Sequence, residues 1–443
     1  MSLSHTDVGV DQLRRSEAPT QLYIAVNGCH ENQMDAALVQ RYLGSTRHVV
    51  PVTKVADADV VIVQGCAVTQ HMENESRDII AHLAQAKRPD AKLIVTGCIR
   101  RFRPDLATND TDPAVPLDEI DHMMYDLDEN ARRLAVNRLQ SKPEDLCAYL
   151  AERKEEVFAG YTASTGSTGA TRRDSKPFRV VFRGARAYKD FVESRLDVCS
   201  GKTYSIKACT GCLGRCAYCS VRLTRGTVRS KTVDEVMEEF VRGLDMGYEN
   251  FALLGTDIGD YGKDIGLDLI DLLRAMVDVP RPFNLRLRNV NPRWIAARWQ
   301  EFCEVAESGK ITYMQVALQS GSDRVLALMR RGHHIGELMD ALGEIRRRAP
   351  RVVLRTQIIA GFPTETDAEF KDSMAVVRSG LFDYTDLFRY TPRPGTDAAD
   401  IGPEVPWDVI MRRYEALFRE ATFRHPVRTM SAVRRVRSAP LLS

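Results

Sequence analysis

The sequence predicts an α/β protein of two domains, and three observations predict it. Short β-branched runs alternate with polar, helix-compatible stretches along most of the chain, the pattern of parallel strands joined by helical crossovers. A Ser/Thr/Gly-rich stretch (TASTGSTGATR, residues 162–172) cannot bury a core and divides that alternation in two. The 443 residues, 44% apolar and 28% charged, are ordinary globular usage and exceed one typical domain.

Residues 1–19 hold no apolar core between charged and small-residue ends, so they read as a disordered N-terminus without a signal peptide. Residues 20–160 open as a Rossmann-like open parallel sheet: QLYIAV, ADVVIVQG and AKLIVTG are strands, with ENQMDAALVQRYL and HMENESRDIIAHLAQA as the helices between them. Each strand stops at Asn, Gln or Thr, then Gly, then Cys. The stretches DEIDHMMYDLDENARRLAVNRL and EDLCAYLAERKEEVF read as a helical extension, and residues 161–176 as a flexible linker.

Residues 177–400 contain six further strand-like runs: YSIKA, NFALLG, FNLRLR, YMQVALQ, VLRTQIIAG and YTDLFRY. Between them, VDEVMEEFVRGLDMG, LDLIDLLRAMV and SDRVLALMRR repeat apolar residues at three- and four-residue steps, as amphipathic helices do. Six such units predict a full or partial (β/α) barrel of the TIM type, with chemistry at the strand C-terminal ends. Residues 401–443 read as one helix (WDVIMRRYEALFREATF) and a basic tail.

Lys+Arg 62 against Asp+Glu 60 leaves a net charge of +2, which excludes a global basic field for nucleic acid and an acidic disordered chain. No run reaches the roughly 18 apolar residues that span a bilayer, so the expected location is the cytoplasm. Ten cysteines in such a chain point to metal or redox work rather than a disulfide scaffold.

Their spacing carries that chemistry. Directly after YSIKA comes CTGCLGRCAYC, which sets Cys209, Cys212, Cys216 and Cys219 within eleven residues, too close for two zinc knuckles. Cys212, Cys216 and Cys219, on a loop with Gly211 and Gly214, can hold three irons of a cubane cluster and leave the fourth open for a cofactor. Cys209 as a fourth ligand, which would favour electron transfer alone, and a zinc site both stay open alternatives at this point. Cys29, Cys66 and Cys98 each follow one of the first three strands. Parallel strands bring their C-terminal ends to one edge, so these three form a second candidate site. Cys147, Cys199 and Cys303 show no such context.

From about Gln21 to Asp400 the sequence resembles the radical SAM methylthiotransferases. GCHENQMD, with Asn32 and Asp35 in matching places, QGCAVT and VTGC are similar to that family's first three motifs. GCLGRCAYCSVRLTRGTVRSK is similar to its cluster loop, and LLGTDIGDYG, VALQSGSDRVLALMRRGH, IIAGFPTETDAEF and FRYTPRPGTDAA to successive later motifs. The resemblance implies two [4Fe-4S] clusters and S-adenosyl-L-methionine. Cys212, Cys216 and Cys219 would hold the cluster whose open iron takes the methionine amino and carboxylate groups; Cys29, Cys66 and Cys98 would hold an auxiliary cluster carrying the sulfur to be inserted. Tyr218 would lie beside the adenine. Gly255, Thr256 and Asp257 would face the methionine ammonium, Gln319 and Ser320 would sit at a nearby strand end, and Gly361 would admit the nucleoside. A 5'-deoxyadenosyl radical would abstract hydrogen from an unactivated carbon, which gains a methylthio group. The implied partners are a tRNA adenosine, a peptide or a small natural product as substrate, and a flavodoxin- or ferredoxin-type electron donor to a monomeric enzyme.

Three departures stand beside the resemblance. Past Asp400 there is no train of short strands for the family's TRAM domain, which favours a peptide or small-molecule substrate; eight arginines against two glutamates between Met411 and Ser443 keep phosphate contact open. GTD stands where GQN is usual, and Gln357 where an Asp is common. The rival readings are a radical SAM enzyme of different outcome, a two-cluster electron carrier and a non-catalytic binding protein on the same scaffold.

Overall fold

The computed structural model describes residues 19–28, 30–46, 49–103, 203–424 and 426–437. Cys29, Cys147, Cys199, the helical extension, the linker at 161–176 and the N-terminal segment expected to be disordered lie outside the described residues. The chain divides into two compact units, Met1–Gly169 with Leu223–Arg225, and Ala170–Arg222 with Gly226–Ser443.

In the first unit, β1 (Thr20–Val26), β2 (Val49–Pro51), β3 (Val60–Gly65) and β4 (Lys92–Gly97) form a parallel sheet ordered β2-β1-β3-β4. The all-apolar VVIV run of β3 suits a central strand covered on both faces. Tyr23, Val61, Val63, Leu93 and Val95 pack with helix α2 (Gln70–Ala86) through Ile79, Ile80 and Leu83, while Leu22, Ile24, Ile62 and Ile94 form a separate cluster with Ala36 and Val39 of α1 (His30–Thr46). Strand β2 escapes the periodicity reading because three residues are too few to show one.

The second unit holds β5 (Thr203–Lys207), β8 (Asn250–Leu254), β9 (Asn284–Val290), β10 (Ile311–Gln319), β11 (Val353–Ala360) and β12 (Tyr384–Arg389) as one parallel sheet in strict chain order. Between β5 and β8 a two-residue antiparallel pair intervenes, β6 (Cys209–Thr210) with β7 (Arg229–Ser230). The six strands are those expected, in the order of a partial barrel whose edge strands are β5 and β12. Alternation divides each strand: Ile206, Leu253, Leu285, Leu287, Met314 and Leu354 belong to the main apolar core. Alternate positions carry Arg286, Gln315 and Arg355 instead. Arg355 meets Asp386 in a buried bidentate pair, both bonds 2.7 Å.

Helix starts follow local chemistry. Thr366 caps the helix Asp367–Arg378 in a reciprocal box with Glu369, whose carboxylate also accepts from Arg324 at 2.5 and 2.8 Å. The Arg324 guanidinium, aided by the Thr366 bonds, holds the Glu369 carboxyl down at about 2 against an ordinary 4.5. A depressed folded value stabilises above the unfolded value and is lost as pH falls toward the folded one. Glu369→Gln is therefore expected to be less stable than the parent at pH 7, with the gap in urea midpoint narrowing as pH drops below 4.5. A gap constant with pH would remove the ion pair from the account.

The C-terminal segment differs from its reading as a tail. Trp407–Phe423 is the helix expected, but a second helix, Pro426–Arg437, follows it, with Thr429, Ala432 and Val433 buried. Thr429 Oγ1 donates to the Asp383 carbonyl (2.9 Å) and Arg435 Nη2 to its carboxylate (2.6 Å), so this basic run is docked.

Candidate iron-sulfur and cofactor site

In the first unit the polar-Gly-Cys turns sit at adjacent strand ends for a packing reason. A Cβ on Gly28 would lie 2.5 Å from Cys66 Cβ, one on Gly65 would lie 2.5 Å from Ile99, and one on Gly97 would lie 2.6 Å from the Gly65 carbonyl. Only glycine lets the ends of β1, β3 and β4 approach this closely, and Gly28 and Gly97 also hold positive φ (110° and 87°). Cys66 and Cys98 are both buried. Ser76, fully buried on α2, fixes the Cys66 turn: its Oγ accepts from Cys66 N (2.9 Å) and from Asn27 Nδ2 (3.0 Å) and donates to Cys66 O (2.8 Å). Asn32 Nδ2 donates to the Asn27 carbonyl (3.0 Å). Ser76 escapes the sequence reading because it carries no metal-ligand chemistry, and Asn27 is legible there only as the polar residue before Gly28.

In the second unit, Cys212, Cys216 and Cys219 are partly exposed, whereas Cys209 is buried in the main core. The Cys209 thiol donates to the Asp257 carbonyl (3.6 Å), and a Cβ on Gly255 would lie 2.5 Å from its sulfur. Cys209 is thus occupied inside the fold while the other three line the loop. Two thiols border Gly214, whose Cβ would lie 3.0 Å from Cys212 Sγ and 3.7 Å from Cys216 Sγ. N–H groups aim at the sulfurs, Gly214 N at Cys212 (3.1 Å) and Arg331 Nη1 at Cys216 (3.2 Å) among them. Burial pushes the Cys219 thiol up to about 11, and burial with Asp257 and Asp260 pushes Cys212 upward too, so a cationic centre is what would draw these groups into thiolates. A three-thiolate cluster fits this donor set.

The strand ends nearby supply the polar surroundings. Asp257 accepts at Oδ1 from Gly259 N (3.0 Å) and Asn291 N (3.1 Å), while its buried Oδ2 has no hydrogen-bond partner; burial, then Asp260, pushes its carboxyl up to about 7. Gln319, at positive φ (79°), donates to Gln357 Oε1 (3.3 Å) and keeps a buried Oε1 without a partner. Asp257 Oδ2, whose nearest cation is Arg293 at 3.9 Å, and Gln319 Oε1 are two acceptors without a hydrogen bond and fit a donor such as an ammonium. Tyr218 is largely buried and packs beside Val325, Met329 and Phe362. Asp260, missed by the sequence reading, is fully buried and binds Leu213 N (2.6 Å), Arg293 (2.5 Å) and Trp294 Nε1 (2.8 Å). Cys212, Asp257 and Asp260 offer ligand atoms within 4.8 Å of one another. These three bonds commit the Asp260 carboxylate to organising the loop.

Three further residues of the expected site have partners inside the protein. Thr256 Oγ1 accepts from Gly211 N (3.1 Å) and so secures the cysteine loop. Ser320 is fully buried, its hydroxyl accepting from Ser322 N (3.2 Å) and lying 3.4 Å from Ser373 Oγ, so it forms the turn at the end of β10. Gly361 holds positive φ (79°), and its missing Cβ makes room for Ile410, 2.4 Å from where that atom would stand; no nucleoside can approach on that side.

Comparison with known proteins follows the same division. Residues 206–377 match the radical SAM superfamily and residues 21–114 the uncharacterized protein family UPF0004. The chain is 29% identical over 401 residues to the threonylcarbamoyladenosine tRNA methylthiotransferase MtaB of Thermotoga maritima, covering 89% of this chain and 80% of that protein. It is 26% identical over 410 residues to the ribosomal protein uS12 methylthiotransferase RimO of Chlamydia felis, covering 91% and 79%. Among solved structures, the radical S-adenosylmethionine methyltransferase TsrM of Kitasatospora setae is similar at TM-score 0.49 and 12% identity, covering 86% of this chain and 77% of that one. No helix among the described residues is long and apolar enough to cross a membrane.

Proposed function

We propose, from a chain that is a radical SAM enzyme homologous to the methylthiotransferases, that it inserts sulfur as a methylthio group at an unactivated C–H bond, using two [4Fe-4S] clusters. The observation that carries the reading is the separation of the cysteines: Cys212, Cys216 and Cys219 line a loop with N–H groups aimed at two of their sulfurs, while Cys209 is buried elsewhere. Cys66 and Cys98, at the ends of adjacent parallel strands, are assigned to the auxiliary cluster together with Cys29, which follows Gly28 in sequence. When bound, the first cluster and S-adenosyl-L-methionine supply one-electron cleavage of the sulfonium and the radical that takes the hydrogen. The chain's own work is to bind and aim. Asp257 and Gln319 offer acceptors to the methionine ammonium, Tyr218 offers a face to the adenine, and Thr256 with Asp260 fixes the loop.

The substrate belongs to one of two classes, those on which the relatives named above act: a threonylcarbamoyl-modified tRNA adenosine or a ribosomal protein side chain. Electrons come from a flavodoxin- or ferredoxin-type donor, and the enzyme works as a monomer in the cytoplasm. The test is anaerobic reconstitution with iron and sulfide, then reduction with SAM in the presence of each substrate. About eight irons per chain, with both 5'-deoxyadenosine and S-adenosylhomocysteine formed, is the expected result. About four irons with deoxyadenosine alone would make this a radical SAM enzyme of another outcome.

A further inference from the structure

Consecutive arginines at 330 and 331 meet opposite fates. The short helix Asp323–Leu328 ends at Met329, and the chain then turns through left-handed backbone at Arg330 (φ 55°) and Gly332 (φ 67°). A non-glycine residue holds that conformation only where its surroundings enforce it. The result is that Arg330 points outward to an exposed pair with Asp397, while Arg331 is only 5% exposed.

The buried guanidinium has an unusual set of partners. Nη1 donates to Cys216 Sγ at 3.2 Å, and Nη2 donates to the Ala317 carbonyl at the end of β10. Among the described residues, no carboxylate forms an ion pair with it. A buried cation is unfavourable unless negative charge meets it; here Asp257 and Tyr218 act on it without a hydrogen bond, and the side chain to which it donates directly is the sulfur of a candidate cluster ligand. The same turn is fastened to the cysteine loop through the backbone, since Ala217 N donates to the Met329 carbonyl (3.1 Å). His333 Nδ1 lies 3.3 Å from the Arg331 carbonyl, closing the turn from its other side.

We propose that Arg331 is a positioning residue for Cys216: it donates an N–H to the ligand sulfur and thereby raises the reduction potential of the cluster held by Cys212, Cys216 and Cys219. The inference rests on the reading that these three cysteines are ligands. The step concerned is the transfer of one electron from a low-potential protein donor to the cluster, with no bond made or broken and no proton moved. The reduced cluster carries one more negative charge, so an N–H···S bond and a nearby guanidinium stabilise it more than the oxidised form. Lysine keeps the charge but lacks the planar fork that reaches Cys216 and Ala317 together.

Wild type, Arg331→Lys and Arg331→Met are reconstituted anaerobically, iron is counted, and the midpoint potential is measured by a redox titration followed by electron paramagnetic resonance, without SAM. The expected result is equal iron in all three and a midpoint that becomes more negative from wild type to Lys to Met. The reduced wild-type cluster should also show one exchangeable-proton coupling more than the variants. Equal midpoints in wild type and Arg331→Met at equal iron overturn the proposal. Where Arg331→Met assembles no cluster, Arg331→Lys decides: a wild-type midpoint with unchanged proton coupling overturns it, and a more negative midpoint supports it. Failure of the underlying reading looks different, because Cys216→Ala would then lose no iron; the proposal falls with it.

Discussion

Cys216→Ala is expected to remove about four of roughly eight irons per chain and to abolish 5'-deoxyadenosine formation, while Cys66→Ala is expected to remove a similar share and leave deoxyadenosine formation in place. The two substitutions differ because the sites depend on different parts of the chain. Cys216 stands in a loop secured by Thr256, Asp260 and the Ala217–Met329 backbone bond. Cys66 stands in a turn secured by Ser76, Asn27 and the glycine contacts of the first sheet. Methylthio product is expected to disappear in both variants. Iron analysis with product chromatography checks the contrast. An unchanged iron count in Cys66→Ala would remove the auxiliary cluster, and loss of all iron in either variant would show that the two sites do not assemble independently.

The second large effect is on stability. Asp383→Ala is expected to cost about 3–5 kcal/mol, the range for removing one partner of a buried ion pair. Its side chain is 1% exposed and accepts from Arg346 Nη2 (2.6 Å), Leu354 N (2.9 Å) and Arg435 Nη2 (2.6 Å). Alanine leaves the Arg346 guanidinium and the Leu354 amide without that acceptor in a low-dielectric setting, and it removes the Arg435 anchor of the helix Pro426–Arg437 while the Thr429 bond to the main-chain carbonyl stays. Arg435→Met should cost much less, since Arg435 is 28% exposed and its loss leaves Asp383 still bonded to Arg346. Urea unfolding of the two variants measures the difference. A cost below about 1 kcal/mol for Asp383→Ala would mean that solvent screens the cluster as it screens surface pairs.

That cluster also shows where sequence reading stops. By itself the sequence determined the alternation of strands and helices, the six strands of the larger sheet and the spacing that gathers four thiols within eleven residues, whereas the burial of Cys209 that sets it apart from the other three came from the fold. Each of these is local or periodic, and so is written in consecutive residues: VVIVQG reads as a buried strand, and CTGCLGRC as a wrapping loop, before any contact is known. The glycines before Cys66 and Cys98 were legible as a repeated pattern, although not as the packing requirement between neighbouring strand ends that they satisfy.

Tertiary structure alone decided the rest. Arg331 and Cys216 are 115 residues apart, and nothing in the pair RR says which arginine turns inward; the left-handed turn at Arg330 does. The space beside Gly361, expected to admit a ligand, is filled by Ile410, because the local backbone fixes where a Cβ would point but a helix about fifty residues later decides what stands there. The basic tail became a docked helix because Asp383, whose neighbours in sequence predict no partner, offers its carboxylate at the spot where Arg435 arrives. Periodicity records which face of an element is apolar. Which charged or small residue meets which is fixed only when the chain path brings distant segments within hydrogen-bond reach, where the cost of burying an unpaired polar group selects the partner.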